Sequence, residues 1–233
     1  MLFHLKHFSL NHSQSTMKVG TDAVLLGAWL SFPENCRNIL EIGSGCGIIS
    51  LMLAQRTEAK IIGVDIDEKS VKEAQNSAEN SPWKEKVQFL NESVQNFVQK
   101  ITQKFDVIVC NPPFFENSLK SSETKKNISK HNDTLPLQTL ISTVGTLLAE
   151  SGRFGVILPL VAAEKIEILA LKNHLYAVKK THIYPTPSKK ANRILMLFER
   201  EKKDCKEDKL IIRDNGYTNE YKQLVKEYLL IEN

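Results

Sequence analysis

The 233-residue sequence has no run of 18 apolar residues, so a membrane-crossing helix is not expected. Its opening is no secretory signal either, because His4, Lys6, His7 and His12 interrupt any apolar segment there. Only four cysteines are present (Cys36, Cys46, Cys110, Cys205), none in a CxxC pair, which excludes a disulfide framework and a cysteine-based zinc site. Reduced thiols, a cytoplasmic setting and no bound metal are the expectation. Internal repeats and low-complexity tracts are absent. Neither sign of charge dominates: 31 Lys and Arg against 27 Asp and Glu leave +4, which permits an anionic partner without requiring one. The length suits one domain over 1–233, with an arm and capping helix in 1–30, a catalytic core in 36–200 and an extension in 201–233. A monomer is expected.

Against that background, one stretch is conspicuous. Residues 38–42 read as a buried strand, and Gly43-Ser44-Gly45-Cys46-Gly47 follows at once, leading into a helical run over 48–55. Strand, glycine turn and helix open a nucleotide-binding βαβ unit. The spacing is G-x-G-x-G, however. Ile48 stands where a dinucleotide fingerprint carries its third glycine, which argues against a pyrophosphate-bearing cofactor. Glycines without Cβ let a ligand lie against the backbone, and Glu41 just before the turn favours one with cationic groups. S-adenosylmethionine, with a sulfonium and an amine, fits better than NAD. A second strand, 60–64, ends at Asp65, where a carboxylate accepts hydrogen bonds from ribose hydroxyls in this type of fold. Asp67 then caps a helix over 68–80. A third strand over 87–90 ends in Asn91-Glu92-Ser93, read either as lying along an adenine ring or as a plain turn cap.

The fourth strand, Val107-Ile108-Val109, stops at Asn111-Pro112-Pro113-Phe114-Phe115. Two residues without N–H groups end the strand, so Asn111 is delivered to the crevice beyond the carboxyl edge of the sheet. The cluster suits methylation of a planar amino group. Such an amine is a poor nucleophile because its lone pair is delocalised, and the Asn111 side-chain oxygen and Pro112 carbonyl are acceptors for its two hydrogens. Phe114 or Phe115 would stack on the ring. An ordinary strand followed by a proline turn accounts for the same residues, and Cys110 reads better as a buried thiol than as a nucleophile.

In order and spacing, Glu41-Ile-Gly-Ser-Gly-Cys-Gly47, Asp65 and Asn111-Pro-Pro-Phe114 resemble the class I S-adenosylmethionine-dependent methyltransferases that modify exocyclic amines. Three further stretches resemble, within that class, the bacterial tRNA (adenine-N6) methyltransferases of valine tRNA. They are Met17-Lys-Val-Gly-Thr-Asp-Ala-Val-Leu-Leu-Gly-Ala-Trp29, Pro185-Thr-Pro-Ser-Lys-Lys-Ala-Asn-Arg-Ile-Leu195 and Tyr217-Thr-Asn-Glu-Tyr221. The resemblance implies a Rossmann-like α/β fold with a seven-stranded, mostly parallel sheet and a C-terminal antiparallel hairpin. It implies S-adenosyl-L-methionine as cofactor, tRNA as partner and N6 of adenine 37 beside the anticodon as target. By the same resemblance Asn111, Pro112, Pro113 and Phe114 hold the amine. Gly43, Gly45, Gly47 and Asp65 hold the cofactor, and a segment with Lys18, Thr21 and Asp22 closes over it. Phe115 departs from the tyrosine common in relatives, losing a hydroxyl and keeping the stacking surface.

The remaining chain is read from pattern. Thr21 or Asp22 caps an apolar helix over 23–30, which is either a core helix or a lid. The segment 116–133 is polar, with Lys120, Lys125, Lys126 and Lys130 against Glu123 alone between 120 and 130, and is a candidate phosphate clamp. Helices are expected over 135–148, 162–173 and 221–230, with a strand over 153–158. Two further strands, 177–184 and 194–199, flank a basic loop containing Lys189, Lys190 and Arg193, and 201–209 reads as an exposed turn. DNA methyltransferases that read base sequence usually need an added recognition region, and release-factor enzymes an N-terminal helical domain. No stretch here fits either, whereas a structured RNA presenting an unpaired base needs less protein.

Overall fold

The computed structural model describes residues 2–113 and 135–230. The chain opens with a small antiparallel hairpin of β1 (Leu2–His4) and β2 (Ser9–Asn11). The strands β3 (Asn38–Ile42), β4 (Lys60–Asp65), β5 (Val87–Asn91), β6 (Phe105–Cys110), β7 (Leu148–Pro159), β8 (Tyr176–Tyr184), β9 (Arg193–Glu199) and β10 (Lys206–Ile211) build one sheet. Their order is β10-β8-β9-β7-β6-β3-β4-β5. The helices are α1 (Thr21–Trp29), α2 (Ile48–Ala54), α3 (Glu68–Glu79), α4 (Val94–Lys100), α5 (Leu137–Leu147), α6 (Ala163–Lys172) and α7 (Asn219–Val225).

Alternation along the strands decides which helices cover which face. In β6, Val107 and Val109 pack into one apolar cluster and Ile108 and Cys110 into the other. In β3 the same division separates Ile39 from Leu40 and Ile42. Side chains of α1, α2, α3 and α7 fill the first cluster, and those of α4, α5 and α6 the second. Because both faces are covered, the central strands read as continuous apolar runs.

From β3 the chain moves outward through β4 and β5, then returns to place β6 on the other side of β3. That reversal opens a crevice beyond the carboxyl ends of β3 and β6. On the far side β9 runs antiparallel to both β7 and β8, giving the expected hairpin.

Four features differ from the pattern-based expectation. The sheet has an eighth strand, β10, which begins inside the stretch 201–209 read as an exposed turn and runs to Ile211. It pairs parallel to β8 through its backbone while Lys179–Asp208 and Lys180–Glu207 ion pairs cross the two strands. Only Leu210 of its residues is buried, so its charged composition disguises an edge strand. Next, α1 starts at Thr21 behind Gly20, and neither Thr21 nor Asp22 supplies a capping hydrogen bond. A helix not expected from pattern, α4, follows β5 directly, with the Ser93 side chain accepting from Asn96 N. Finally, β7 begins at Leu148, ahead of the expected 153, and its pairing with β6 shifts register between Phe105 and Val107.

Candidate active site

The register of the parallel strands assembles the site. Ile42 pairs with Cys110 on one side and with Val64 on the other, and Asp65 pairs with Asn91. These pairings set up a row along the carboxyl edge: Asn111 after β6, Gly43 after β3, Asp65 ending β4 and Asn91 ending β5, with Glu92 following it. Neighbours in that row are separated by one strand spacing, about 4.8 Å.

The glycine loop turns back on itself. Gly43 N and Ser44 N both donate to Val64 O (2.9 and 3.1 Å), and Gly47 N donates to Ser44 O (2.9 Å). Gly43, Gly45 and Gly47 have φ of 71°, 50° and 80°, a left-handed region that favours glycine. Gly47 has a second constraint, since a Cβ there would lie 2.5 Å from Cζ of Phe89. At Gly43 and Gly45 a Cβ would meet nothing within 4 Å, so these two present bare backbone to open space. Beside them lies a cleft of about 470 Å³ lined by Ile42, Gly43, Asp65, Ile66, Glu92 and Ser93 among others.

Asp65 braces the loop. Its Oδ2 accepts from Gly45 N (2.7 Å) and its Oδ1 from Asp67 N (2.8 Å). Burial pushes its carboxyl pKa upward, against the pull of those amides. Glu41 sits deeper and is 1 % exposed; its Oε2 accepts from Ser50 N (2.9 Å) and Ser50 Oγ (2.5 Å). Burial raises its pKa to about 8. The structure thus ties Glu41 to the start of α2, beneath the loop. Glu92 and Ser93 both line the cleft, but Glu92 is ion-paired with Lys100 and the Ser93 hydroxyl caps α4.

On the other side of the row, Asn111 is half-buried, Pro112 is buried and Pro113 half-buried. The Asn111 carboxamide makes no hydrogen bond with any described residue. Cys110 is 1 % exposed and burial drives its thiol pKa strongly upward, which leaves an inert thiol. Phe114, Phe115, Lys125, Lys126 and Lys130 lie outside the described residues.

The N-terminal candidates are placed apart from one another. Lys18 Nζ donates to the carbonyls of His12 (2.6 Å) and Ser13 (2.7 Å), within its own arm. α1 is a core helix with Ala23 through Ala28 buried, so its body is no lid, while Thr21 stays exposed at its start. Asp22 in its first turn accepts from Arg193 Nε at 2.8 Å. Arg193 opens β9, opposite Pro159 at the carboxyl end of β7, so this ion pair belongs to the same edge as Asn111. Lys189 and Lys190 are exposed in the loop before it, beyond that edge. Pattern reading missed the cleft wall formed by Leu135, Pro136 and Thr139 at the entry to α5, and Ile66, which is 49 % exposed beside Asp65. The one available signal was Pro136, which suits a helix entry.

Comparison with known proteins decides what kind of site this is. A family model described as "Methyltransferase small domain" matches residues 9–168. The chain belongs to this methyltransferase family. Among curated relatives, the tRNA1(Val) (adenine(37)-N6)-methyltransferase of Flavobacterium psychrophilum is 39 % identical over 98 % of this chain and 99 % of its own length. A Bacteroides thetaiotaomicron protein of the same name is 36 % identical over 98 % of the chain and 97 % of its own length. Among solved structures, a predicted O-methyltransferase from Agrobacterium tumefaciens superposes with a TM-score of 0.70 at 19 % identity, covering 89 % of this chain and 96 % of that one. A T. thermophilus 16S rRNA methyltransferase in complex with AdoMet and guanosine gives 0.60 at 22 %, covering 86 % and 50 %. These two likenesses show the Rossmann-like methyltransferase fold.

Proposed function

We propose that this methyltransferase transfers a methyl group from S-adenosylmethionine to N6 of adenine 37 in tRNA1(Val). The observation that carries the proposal is the edge row of Asn111, Gly43 and Asp65, which sets the Asn-Pro-Pro turn one strand from a nucleoside-sized cleft. Relatives matched along nearly the whole chain carry this activity in their names.

S-adenosylmethionine fits the residues present. The cleft of about 470 Å³ is within the usual range for small-ligand sites. Gly43 and Gly45 leave room for a ligand against the backbone, and each Asp65 oxygen, accepting one amide already, retains a lone pair for a ribose hydroxyl. Glu92 and Ser93 form the wall toward β5, and Ile66 offers an apolar face to an aromatic ring. Glu41 and Gly47 act from beneath, fixing the loop against α2 and Phe89. Thr21 and Asp22 close the edge over β7, with Lys18 holding the preceding arm in shape.

When bound, the cofactor supplies an electrophilic methyl carbon on a sulfonium. The chain's own part is to make the amine nucleophilic and to aim it. The Asn111 side-chain oxygen and the Pro112 carbonyl would accept the two N6 hydrogens, so that the lone pair leaves conjugation with the ring and is available to the methyl carbon. The bound cofactor would supply the methyl group, with the N–C bond gained as the C–S bond is lost and its electron pair left on sulfur, and the extra amine proton would depart to water. Pro112 and Pro113 restrict the turn before the substrate arrives, so orientation supplies most of the acceleration. Phe114 and Phe115, next in sequence, stack on the purine. Lys125, Lys126, Lys130, Lys189 and Lys190 meet RNA phosphates, and Arg193 holds the edge through Asp22.

The test is transfer of labelled methyl to tRNA1(Val) transcripts carrying adenine or guanine at position 37, followed by nucleoside analysis. N6-methyladenosine from the first transcript and no label in the second are expected. Label in another nucleoside overturns the substrate, and no transfer to RNA overturns the activity.

A further inference from the structure

The turn after β10 builds a three-layer stack. Tyr221, buried at the start of α7, lies under Tyr217 with ring centroids 4.9 Å apart and planes 22° from parallel. Over the Tyr217 ring sits the Arg213 guanidinium, 4.5 Å from its centroid, and Arg213 Nη2 also donates to Tyr217 Oη at 2.9 Å. The backbone closes the same unit: Arg213 and Tyr217 form an isolated antiparallel bridge, and Asp214 N donates to Gly216 O at 2.8 Å. Arg213 itself is exposed, and no carboxylate among the described residues forms an ion pair with it. The nearest in sequence, Asp214, is instead approached by the Asn215 amide at 3.5 Å.

An exposed arginine ordinarily samples many rotamers, and ordering it on binding costs free energy. Here the ring and the phenolic oxygen hold the guanidinium before any partner arrives, and among the described residues it makes no other hydrogen bond. Position supplies the second half of the argument. β8 and β10 run parallel to each other, and β8, twice reversed through β9, runs parallel to β7, so the turn after β10 emerges at the same carboxyl edge as Asn111. Arg213 N donates to Pro185 O at 3.1 Å, which fastens this turn to the exposed loop bearing Lys189 and Lys190. Along the sheet order from β6 through β7, β9 and β8 to β10, Arg213 stands four strand spacings from Asn111, roughly 19 Å.

We propose that Arg213, preset on Tyr217 and Tyr221, is an RNA anchor that grips a backbone phosphate of the substrate several nucleotides from the methylated base. With Lys189 and Lys190 between the two points, it fixes the direction in which the RNA crosses the carboxyl edge. The proposal rests on the tRNA reading above and names a contact that reading does not require.

The test compares Arg213→Ala with Lys172→Ala, an exposed cation at the end of α6 removed from this edge. Dissociation constants for the tRNA1(Val) transcript are measured between 50 and 200 mM salt, alongside cofactor binding and turnover at saturating tRNA. Arg213→Ala is expected to weaken tRNA binding about 5–10-fold near 100 mM salt and to lower the salt slope by about 0.7–0.9. Cofactor affinity and saturated turnover stay within about twofold of the unaltered chain, and Lys172→Ala changes none of these. Arg213→Lys, which keeps the charge without the planar fork, is expected between the two. Equal tRNA affinity and salt slope for Arg213→Ala and Lys172→Ala overturn the anchor, as does a loss confined to cofactor binding. Failure of the unaltered chain to methylate the transcript is a different result, which sinks the substrate reading.

Discussion

Asp65 does two things with one carboxylate. It receives Gly45 N and Asp67 N, and so locks the glycine loop to the start of α3, and it faces the cleft. Charge-assisted hydrogen bonds of this kind are worth about 1.5–3 kcal/mol each. Asp65→Ala is therefore expected to raise the cofactor dissociation constant by about 10–100-fold, read by titration calorimetry; unchanged affinity contradicts the role. Glu41 makes a pH-dependent prediction. Its pKa of about 8 in the folded protein lies above the ordinary 4.5, so between those values the folded chain holds a proton that the unfolded chain releases. Stability is thus expected to fall as pH rises from about 4.5 to about 8. Glu41→Gln keeps an acceptor for Ser50 and removes that share of the slope, which urea midpoints at pH 5 and pH 8 reveal. Identical slopes in the two proteins contradict the account. Position alone marked both residues as cofactor candidates, but the burial that ties Glu41 to Ser50 could not be read before the strand and helix were packed.

At the scale of elements, most of the side-chain hydrogen bonds that fasten the N-terminal arm to α3 converge on Glu73. Glu73 Oε1 accepts from Ser13 Oγ and Gln14 N, both at 2.9 Å, and Oε2 from Ser15 N at 2.9 Å and Ser15 Oγ at 2.6 Å. Those bonds hold its pKa at about 2 against the cost of burial. With a folded pKa below the ordinary 4.5, this anchor contributes fully above that pH, and its share is lost as pH falls toward 2. Thr16 Oγ1 adds a bond to Asp67 Oδ2 at 2.8 Å, the carboxylate that caps α3. Glu73→Ala is expected to cost about 2–4 kcal/mol in stability and to expose residues 10–17 to limited proteolysis in advance of the core. Proteolysis at the unaltered rate contradicts the strap. The partners of Glu73 lie 58 to 60 residues away in sequence, so no local pattern announces them. Asp67 as a cap was legible because its partner Ser70 is a neighbour, and the turn at 43–47 because its three glycines mark it in the sequence. β10 was illegible for the opposite reason: cross-strand ion pairs let a sequence of Lys, Glu and Asp form an edge strand.

At the scale of the whole molecule, sheet register converts scattered motifs into one edge. Asn111, Gly43 and Asp65 come from three strands, and only the pairings Ile42↔Cys110 and Ile42↔Val64 make them neighbours. A mostly parallel sheet with a C-terminal antiparallel hairpin was expected from the family resemblance, whereas the register that aligns the strand ends requires the packed sheet. The same edge continues past Arg193 to the loop that exposes Lys189 and Lys190 with no acidic residue between 185 and 193, a surface suited to phosphates. Lys189→Ala with Lys190→Ala is expected to weaken tRNA binding and reduce its salt slope by about 1.4–1.8 without altering cofactor affinity. A salt slope equal to that of the unaltered chain contradicts this placement.

The division of labour across the row is the central claim, and Asn111→Ala tests it most directly. Single-turnover methyl transfer to tRNA1(Val) and the cofactor dissociation constant are measured on the same protein. The account predicts a rate at least about 10²-fold lower, as for removal of one preorganised polar group at a reacting centre, with cofactor affinity within about twofold. A preserved rate, or equal losses in rate and cofactor affinity, would contradict it.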